Sequence, residues 1–303
     1  MKKISVIVPC YNEEATIELF YEAITKIWDD NYILELVMVD DGSKDRTHEL
    51  LKELSKRDER VHYTSFSRNF GKEAAMFCGL KQATGDAAVV IDADLQHPVS
   101  TIKEMAAKWE EGYDVIEGVK SSRGNESKGH GLMAKLFYSI ISKIAGFDMR
   151  NSSDFKLIDR KVIDALNEFT EKDTFFRALT FWAGFKSTSV EYEVQERAAG
   201  ESKWSGMGLI KYALKNIFSF TYAPLYLIAY LGVLMILITL GLGIDAIVSY
   251  AKGISVGGYP SLVILITLTA GAIMCSLGVI GIYIAKIYEE IKNRPRYISA
   301  DRK

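Results

Sequence analysis

A short apolar run, Ala87 to Ile91, delivers two aspartates one residue apart, Asp92 and Asp94, and is followed by Leu95, Gln96, His97 and Pro98. A buried strand ending in Asp-x-Asp holds carboxylate oxygens where a hard divalent cation and a diphosphate can meet. Oxygen ligands suit Mg²⁺ or Mn²⁺, and Mg²⁺ keeps waters and shares substrate phosphates, so few protein ligands suffice. An isolated Asp-x-Asp is common by chance, and a polar loop after a strand is its plain alternative. Context narrows the choice. Ile4 to Val8 opens the chain with a second apolar strand, and a third, Leu34 to Val39, ends in Asp40-Asp41-Gly42-Ser43. Three strand ends of this kind suggest one carboxyl edge of a parallel sheet, where α/β proteins bind nucleotides.

The elements that must position these residues alternate along residues 1–118. Strand Ile4–Val8 precedes a helix beginning near Glu13-Glu14-Ala15-Thr16, with acids in its first turn as the helix dipole prefers. Leu34–Val39 leads to a helix from about Asp45 to Lys56. Val61–Ser65 is a weaker strand before a helical stretch from Gly71 to Thr84. Ala87–Ile91 carries Asp92, Thr101–Glu111 is helical, and Val115–Gly118 closes the series. Such repetition predicts an α/β fold with a mixed, mostly parallel sheet and right-handed crossovers. No GxGxxG follows the first strand and no GxxxxGK[ST] occurs, so neither a dinucleotide fold nor a P-loop is supported.

The 303 residues carry a net charge of −2, which gives no global basicity to point to nucleic acid, and no basic-aromatic stripe is present. Cys10, Cys78 and Cys275 are scattered without metal-type spacing, which fits a reducing compartment rather than a disulfide framework. The apolar stretch after Lys2 and Lys3 ends at Pro9 and is too short for a secretory signal.

Charge thins out sharply in residues 223–288. Pro224 to Ile244 and Ser261 to Ala285 hold no charged residue. At about 1.5 Å rise per residue each can cross a hydrocarbon core of roughly 30 Å, so transmembrane helices are expected over about 224–248 and 261–285. A pair of buried core helices is the alternative. Lys203, Lys211 and Lys215 precede the first run; Lys286, Lys292, Arg294, Arg296, Arg302 and Lys303 follow the second; only Lys252 lies between. The positive-inside rule then places both termini and the N-terminal domain in the cytoplasm, at the face of the cell membrane. Residues 207–222 read as an amphipathic interfacial helix. The expected layout is a catalytic domain over 1–206, that helix, a two-helix hairpin over 223–288, and a basic tail over 289–303. Asp245 is marginal to the first run and no ionisable residue lies inside either, so a transporter is excluded. An amphipathic helix over 129–146 could cover the membrane, the core or a sister subunit, and a homo-oligomer is expected on that ground.

Five segments together resemble a known family. Val-Pro-Cys-Tyr-Asn-Glu (8–13), Val-Asp-Asp-Gly-Ser (39–43), Ser-Arg-Asn-Phe-Gly-Lys (67–72), Asp-Ala-Asp-Leu-Gln-His-Pro (92–98) and Arg-Ala-Ala-Gly-Glu-Ser-Lys-Trp (197–204) look like the inverting GT-A glycosyltransferases of family 2. The likeness is greatest to the polyprenyl-phosphate group, which includes dolichol-phosphate mannose synthases and bactoprenol glucosyltransferases. It spans about residues 3–204, and the two apolar runs match the membrane-anchored bacterial branch.

The resemblance implies transfer of a sugar, glucose or an N-acetylhexosamine, from a UDP-sugar to the phosphate of a membrane polyprenol such as undecaprenol, with inversion. Pro9, Tyr11, Glu13 and Asp41 would hold the nucleoside, though strand-end and helix-cap chemistry also explains Asp41-Gly42-Ser43. Asp94 and Gln96 would ligate Mg²⁺ or Mn²⁺, with Asp92 beside the ribose or the metal. His97 reads as a loop histidine before proline. Lys72, at a helix start, suits a diphosphate or is merely solvated. Asp154, in Asn-Ser-Ser-Asp-Phe, occupies the base position, as a base or as an electrostatic positioner, with Asp148 and Asp159 as weaker rivals. A lipid phosphate is already anionic, so positioning matters more than a strong base. Arg123 and Arg197 would bind acceptor or diphosphate, with Ser202 and Lys203 close by and Trp204 at the headgroup level. Lys120 and Lys128 take no role. The Gln-x-x-Arg-Trp pattern of processive synthases is absent, since Gln195 is followed by Glu196, Arg197 and Ala198; one sugar per lipid follows. Other donors or acceptors (GDP-mannose, diacylglycerol) and a non-catalytic membrane scaffold are the competing readings.

Overall fold

The central strands are apolar almost without interruption because both of their faces are covered, the pattern expected of parallel strands between helices. In a computed structural model, which describes residues 1–28, 31–121, 153–171, 175–193, 223–253 and 258–303, β1 (Lys3–Cys10), β2 (Ile33–Asp40), β3 (Val61–Phe66) and β4 (Ala87–Val90) run parallel in the order β4-β1-β2-β3. Helices α1 (Ile17–Ile27), α2 (Thr47–Arg57) and α3 (Lys72–Gln82) join them, and α4 (Thr101–Glu110) leads to β5 (Val115–Lys120). Further along the chain come β6 (Lys156–Asp159), α5 (Arg160–Glu168), α6 (Phe176–Trp182) and β7 (Ser187–Tyr192). The complete sheet reads β7-β5-β6-β4-β1-β2-β3-β8. β6 is antiparallel to both β4 and β5, and β7 is parallel to β5, giving the mixed sheet expected.

Close packing of α3 on β1 sets the site. Residues Ala74 to Leu80 are all buried, and a Cβ added at Gly79 would lie 2.2 Å from Ile7 Cγ2. Only a glycine lets the helix approach this strand, and the seat fixes where its first residues, Lys72 and Glu73, project. The first helix starts later than its acidic residues suggest. Glu13 and Glu14 form a turn in which the Glu13 carbonyl accepts from the Thr16 and Ile17 amides, and their carboxylates accept from Thr16 Oγ1 and the Arg46 amide.

The chain divides into two units, Met1–Ile210 with Pro295–Lys303, and Lys211–Arg294. In the second, α7 (Ala223–Ala251) and α8 (Tyr259–Ile291) pack against each other and are long and apolar enough to cross a membrane. Among the described residues neither helix buries any of its most apolar stretch, unlike the core helix of a soluble protein. Both outrun the limits expected from uncharged residues alone. The tail also differs from expectation. Residues Ser299–Arg302 form β8, an edge strand antiparallel to β3, so the last residues belong to the sheet of the first unit rather than to a separate basic tail. Cys10 and Cys78 are buried, and all three cysteines are free thiols.

Candidate active site

At the carboxyl end of β2, Asp40 and Asp41 are almost fully buried. Asp40 accepts from Ser65 Oγ at 2.6 Å and from the Ser43 amide at 2.9 Å. Asp41 accepts from the Phe70 amide at 2.6 Å and the Gly71 amide at 2.9 Å, tying the 67–72 loop to the end of β2. Burial raises the Asp41 carboxyl to about 6 against the opposing effect of those amides. Gly42, at φ +65°, lies against the same loop: a Cβ there would come within 2.4 Å of the Arg68 carbonyl carbon. At the end of β1, Asn12 takes a left-handed conformation, which asparagine tolerates. Its amide donates to Ser43 Oγ and its side-chain oxygen accepts from the Lys44 amide. The Glu13 amide donates to Thr47 Oγ1. Pro9, Tyr11, Glu13 and Asp41 are thus gathered at one edge by the β1 and β2 loops.

The loop after β4 carries the second group. Leu95 sits at φ +59°, a costly conformation for a bulky side chain, in the turn that presents Asp94 and Gln96. Asp94 Oδ1 accepts from the Gln96 amide at 3.1 Å. Asp92 is engaged by Lys72, whose Nζ lies 2.6 Å from Oδ1 and 2.9 Å from Oδ2. The same ammonium donates to Asp154 Oδ2 at 3.1 Å. Lys72 therefore bridges Asp92 and Asp154, two carboxylates far apart in sequence. Desolvation lowers its pKa, but the two carboxylates outweigh this and raise it.

Sequence reasoning did not single out Arg177, on α6. Its Nε donates to Asp154 Oδ1 at 2.6 Å and its Nη2 to Oδ2 at 2.9 Å, a two-pronged pair. Burial would raise the Asp154 carboxyl, but Arg177 and then Lys72 hold it well below the usual range. Glu73 accepts from the Phe176 amide at 2.8 Å, and burial together with Asp154 pushes its carboxyl up to about 7. Behind them Lys156, completely buried, donates to Glu117 at 2.7 Å and to Thr180 Oγ1 at 2.8 Å, pinning α6 to the sheet. A lone arginine among the buried residues Phe176, Ala178 and Leu179 was the available signal, because a charge there needs a partner.

His97 packs against the rings of Phe155 and Tyr192, and its Nδ1 is buried without a hydrogen-bond partner among the described residues. Burial lowers its pKa, favouring the neutral ring. Asp159, a rival of Asp154, instead caps α5 and accepts from Trp109 Nε1 at 2.7 Å. Asp148, Arg123, Arg197, Ser202, Lys203, Trp204, the 129–146 helix and the interfacial helix over 207–222 lie outside the described residues.

For a divalent cation, Asp92, Asp94 and Gln96 supply an all-oxygen set on one partly exposed turn. Among the described residues no three acidic, thiol or imidazole groups come together as a metal cage.

A mixed α/β sheet whose carboxyl edge gathers these carboxylates and a bridging lysine fits the fold of the nucleotide-diphospho-sugar transferase (GT-A) class. The chain belongs to glycosyl transferase family 2, whose sequence pattern matches residues 5–166, more than half of its length. It is a glycosyltransferase. It is similar to an uncharacterised Bacillus subtilis glycosyltransferase, YkcC (42% identity, 97% of this chain and 92% of that one). It is also similar to the SfII prophage-derived bactoprenol glucosyl transferase of Shigella flexneri (38%, covering 98% and 97%). Among solved structures, glucosyl-3-phosphoglycerate synthase from Mycobacterium tuberculosis, in complex with Mn²⁺, UDP-glucose and phosphoglyceric acid, aligns with a TM-score of 0.49 at 20% identity over 72% of this chain and 78% of that one.

Proposed function

We propose that the protein transfers one sugar from a UDP-sugar to the phosphate of a membrane polyprenol such as undecaprenol, with inversion and with the help of Mg²⁺ or Mn²⁺, making a sugar donor for the cell envelope. The observation that carries this reading is the Asp92–Lys72–Asp154–Arg177 chain at the sheet edge. Two cations and an ionised carboxylate stand beside the turn of Asp92 and Asp94, which supports a site for a diphosphate and an acceptor phosphate in this reading. Similarity over nearly the whole chain to bactoprenol glucosyl transferases supports the acceptor.

Pro9, Tyr11, Glu13 and Asp41 form the nucleoside end in this reading, with Asp41 holding the loop rather than projecting from it. Asp92, Asp94 and Gln96 would hold the metal, which when bound neutralises charge on the departing diphosphate. Lys72 serves the diphosphate from the end of α3, and Asp154 is an electrostatic positioner. Its oxygens are occupied by Lys72 and Arg177, so it orients those cations toward phosphate and leaves the anionic acceptor to attack unaided. Arg123, Arg197, Ser202 and Lys203 complete the acceptor phosphate site.

The two apolar helices form a membrane hairpin in this account, with both termini cytoplasmic. Pairing of β8 with β3 is in keeping with a hairpin, because the residues after α8 belong to the same unit as the N-terminal sheet; the cytoplasmic side rests on the distribution of lysine and arginine alone.

Acceptor-dependent nucleotide release tests the reading. UDP release from a UDP-sugar should rise on adding undecaprenyl phosphate and not on adding diacylglycerol. Stimulation by diacylglycerol alone would overturn the acceptor, and stimulation only with GDP-mannose would overturn the donor.

A further inference from the structure

The residues after α8 do more than trail from the helix. Asp301 Oδ2 accepts from Tyr63 Oη at 2.9 Å, Lys52 Nζ at 3.0 Å and His48 Nε2 at 3.2 Å, which anchors β8 across α2 and β3. The Lys303 amide donates to the Tyr63 carbonyl, and the Ser67 amide to the Ile298 carbonyl at 3.0 Å. Just before the strand, Arg296 donates through Nε to the Glu171 carbonyl at 2.8 Å and through Nη2 to the Phe169 carbonyl, with its guanidinium 4.7 Å over the ring of Phe77 on α3. Tyr297 stacks on Phe66 with ring centres 4.7 Å apart and planes 13° from parallel. Phe66 meets Phe70 edge-on at 5.8 Å, and Arg68 lies 4.3 Å over the same Phe70 ring. Phe70 and Gly71 are the two residues whose amides Asp41 holds, and Lys72 follows them.

The tail therefore forms one wall of the loop that leads to Lys72, and Asp41 with Gly42 forms the other. Nothing in the local sequence of that loop fixes its shape: Ser-Arg-Asn-Phe-Gly has no regular secondary structure, and Gly71 sits at φ +102° with no described residue within 4 Å of where a Cβ would lie. Its conformation depends on the two walls. We propose that Tyr297 and Arg296 are positioning residues for the donor site: through Phe66, Phe70 and Phe77 they hold the 67–72 loop and the start of α3 where Lys72 reaches Asp92 and Asp154. The inference rests on the reading that this loop faces the donor diphosphate.

The test uses the full-length protein in detergent, with UDP and Mn²⁺ as the binding probe and the UDP-release assay for turnover. Y297A should weaken UDP binding and raise donor KM by about tenfold, equivalent to about 1.4 kcal/mol, with kcat and the lipid KM within about threefold. Y297F, which keeps the ring, should restore both. R296Q provides a second probe that leaves the Tyr297 stack in place and should raise donor KM in the same direction. Thermal unfolding of each variant checks that it is folded at the assay temperature. Donor KM unchanged in folded Y297A and R296Q, or a loss confined to kcat, would overturn the proposal. Failure of the unaltered protein to bind either UDP or GDP with metal would overturn the donor reading itself, and this inference with it.

Discussion

Removing the Arg177 guanidinium should disable the site in a way the geometry quantifies. Arg177 makes two charge-assisted bonds to Asp154, at 2.6 and 2.9 Å, with side chains only 22% and 13% exposed. Hydrogen bonds to charged groups contribute roughly 1.5–3 kcal/mol each, and stripping one partner from a buried pair costs about 3–5 kcal/mol. Lys72 remains 3.1 Å from Asp154 and offsets part of that, so about 2–3 kcal/mol is expected for R177A. If the pair holds the reacting phosphates in place, kcat falls by about 30- to 160-fold, at 1.36 kcal/mol per decade. A double-mutant cycle of R177A, D154N and both together, read by UDP release and thermal unfolding, isolates the pair. The double variant should be little worse than the poorer single one, a coupling of about 2 kcal/mol. R177K should recover only part, because lysine cannot present the planar fork. Effects that add within about 0.5 kcal/mol would refute the reasoning.

Glu35, buried between β1 and β2, accepts from Lys3, Ser5 and both the amide and hydroxyl of Thr84; burial alone would raise its pKa, but these donors hold it at about 2. Its folded value lies below the ordinary 4.5, so the stabilisation, about 3 kcal/mol, is present above pH 4.5 and is lost as pH falls toward 2; the stability gap between wild type and E35Q should narrow from pH 6 to pH 3, and a constant gap would contradict this. G42A drives a Cβ into the Arg68 backbone at 2.4 Å and should cost about 1–3 kcal/mol while raising donor KM and sparing the lipid KM; an unperturbed donor KM would separate that contact from the site. K72M leaves Asp92 and Asp154 without their shared cation, and turnover should fall with UDP binding weakened; unchanged UDP affinity would remove Lys72 from the diphosphate site. In intact cells K252C, made with C275A because Cys275 is exposed, should react with a membrane-impermeant maleimide from outside, with Cys10 and Cys78 buried; protection at 252 would contradict the hairpin orientation.

The parallel half of the sheet was legible because β1, β2 and β4 are covered on both faces and read as apolar runs, with aspartates at the ends of β2 and β4. The position of Asp92 and Asp94 just beyond β4 was legible for the same reason. β8 was not: Ser-Ala-Asp-Arg has no apolar alternation, and what holds it is a hub on Asp301 with partners some 250 positions away. Edge strands of this length carry too little burial to leave a pattern. Arg177 and Lys156 escaped notice because each looks like an isolated charge in an apolar stretch, and the partners that explain them, Asp154 and Glu117, sit on other elements. Helix starts were misjudged where acids serve loops: Glu13 and Glu14 suggest a first turn, but they cap contacts to Thr16 and Arg46.

The most direct test of the central claim is the lipid product itself. Purified protein is incubated with undecaprenyl phosphate, Mg²⁺ or Mn²⁺ and a set of UDP- and GDP-sugars, and the lipid fraction is read by mass spectrometry beside a D94A variant that remains folded. The account predicts a single new lipid carrying one hexose or N-acetylhexosamine from a UDP donor, abolished by EDTA and by D94A. Glycolipid formed undiminished with EDTA present, or no lipid product from any donor while other acceptors are glycosylated, would contradict it.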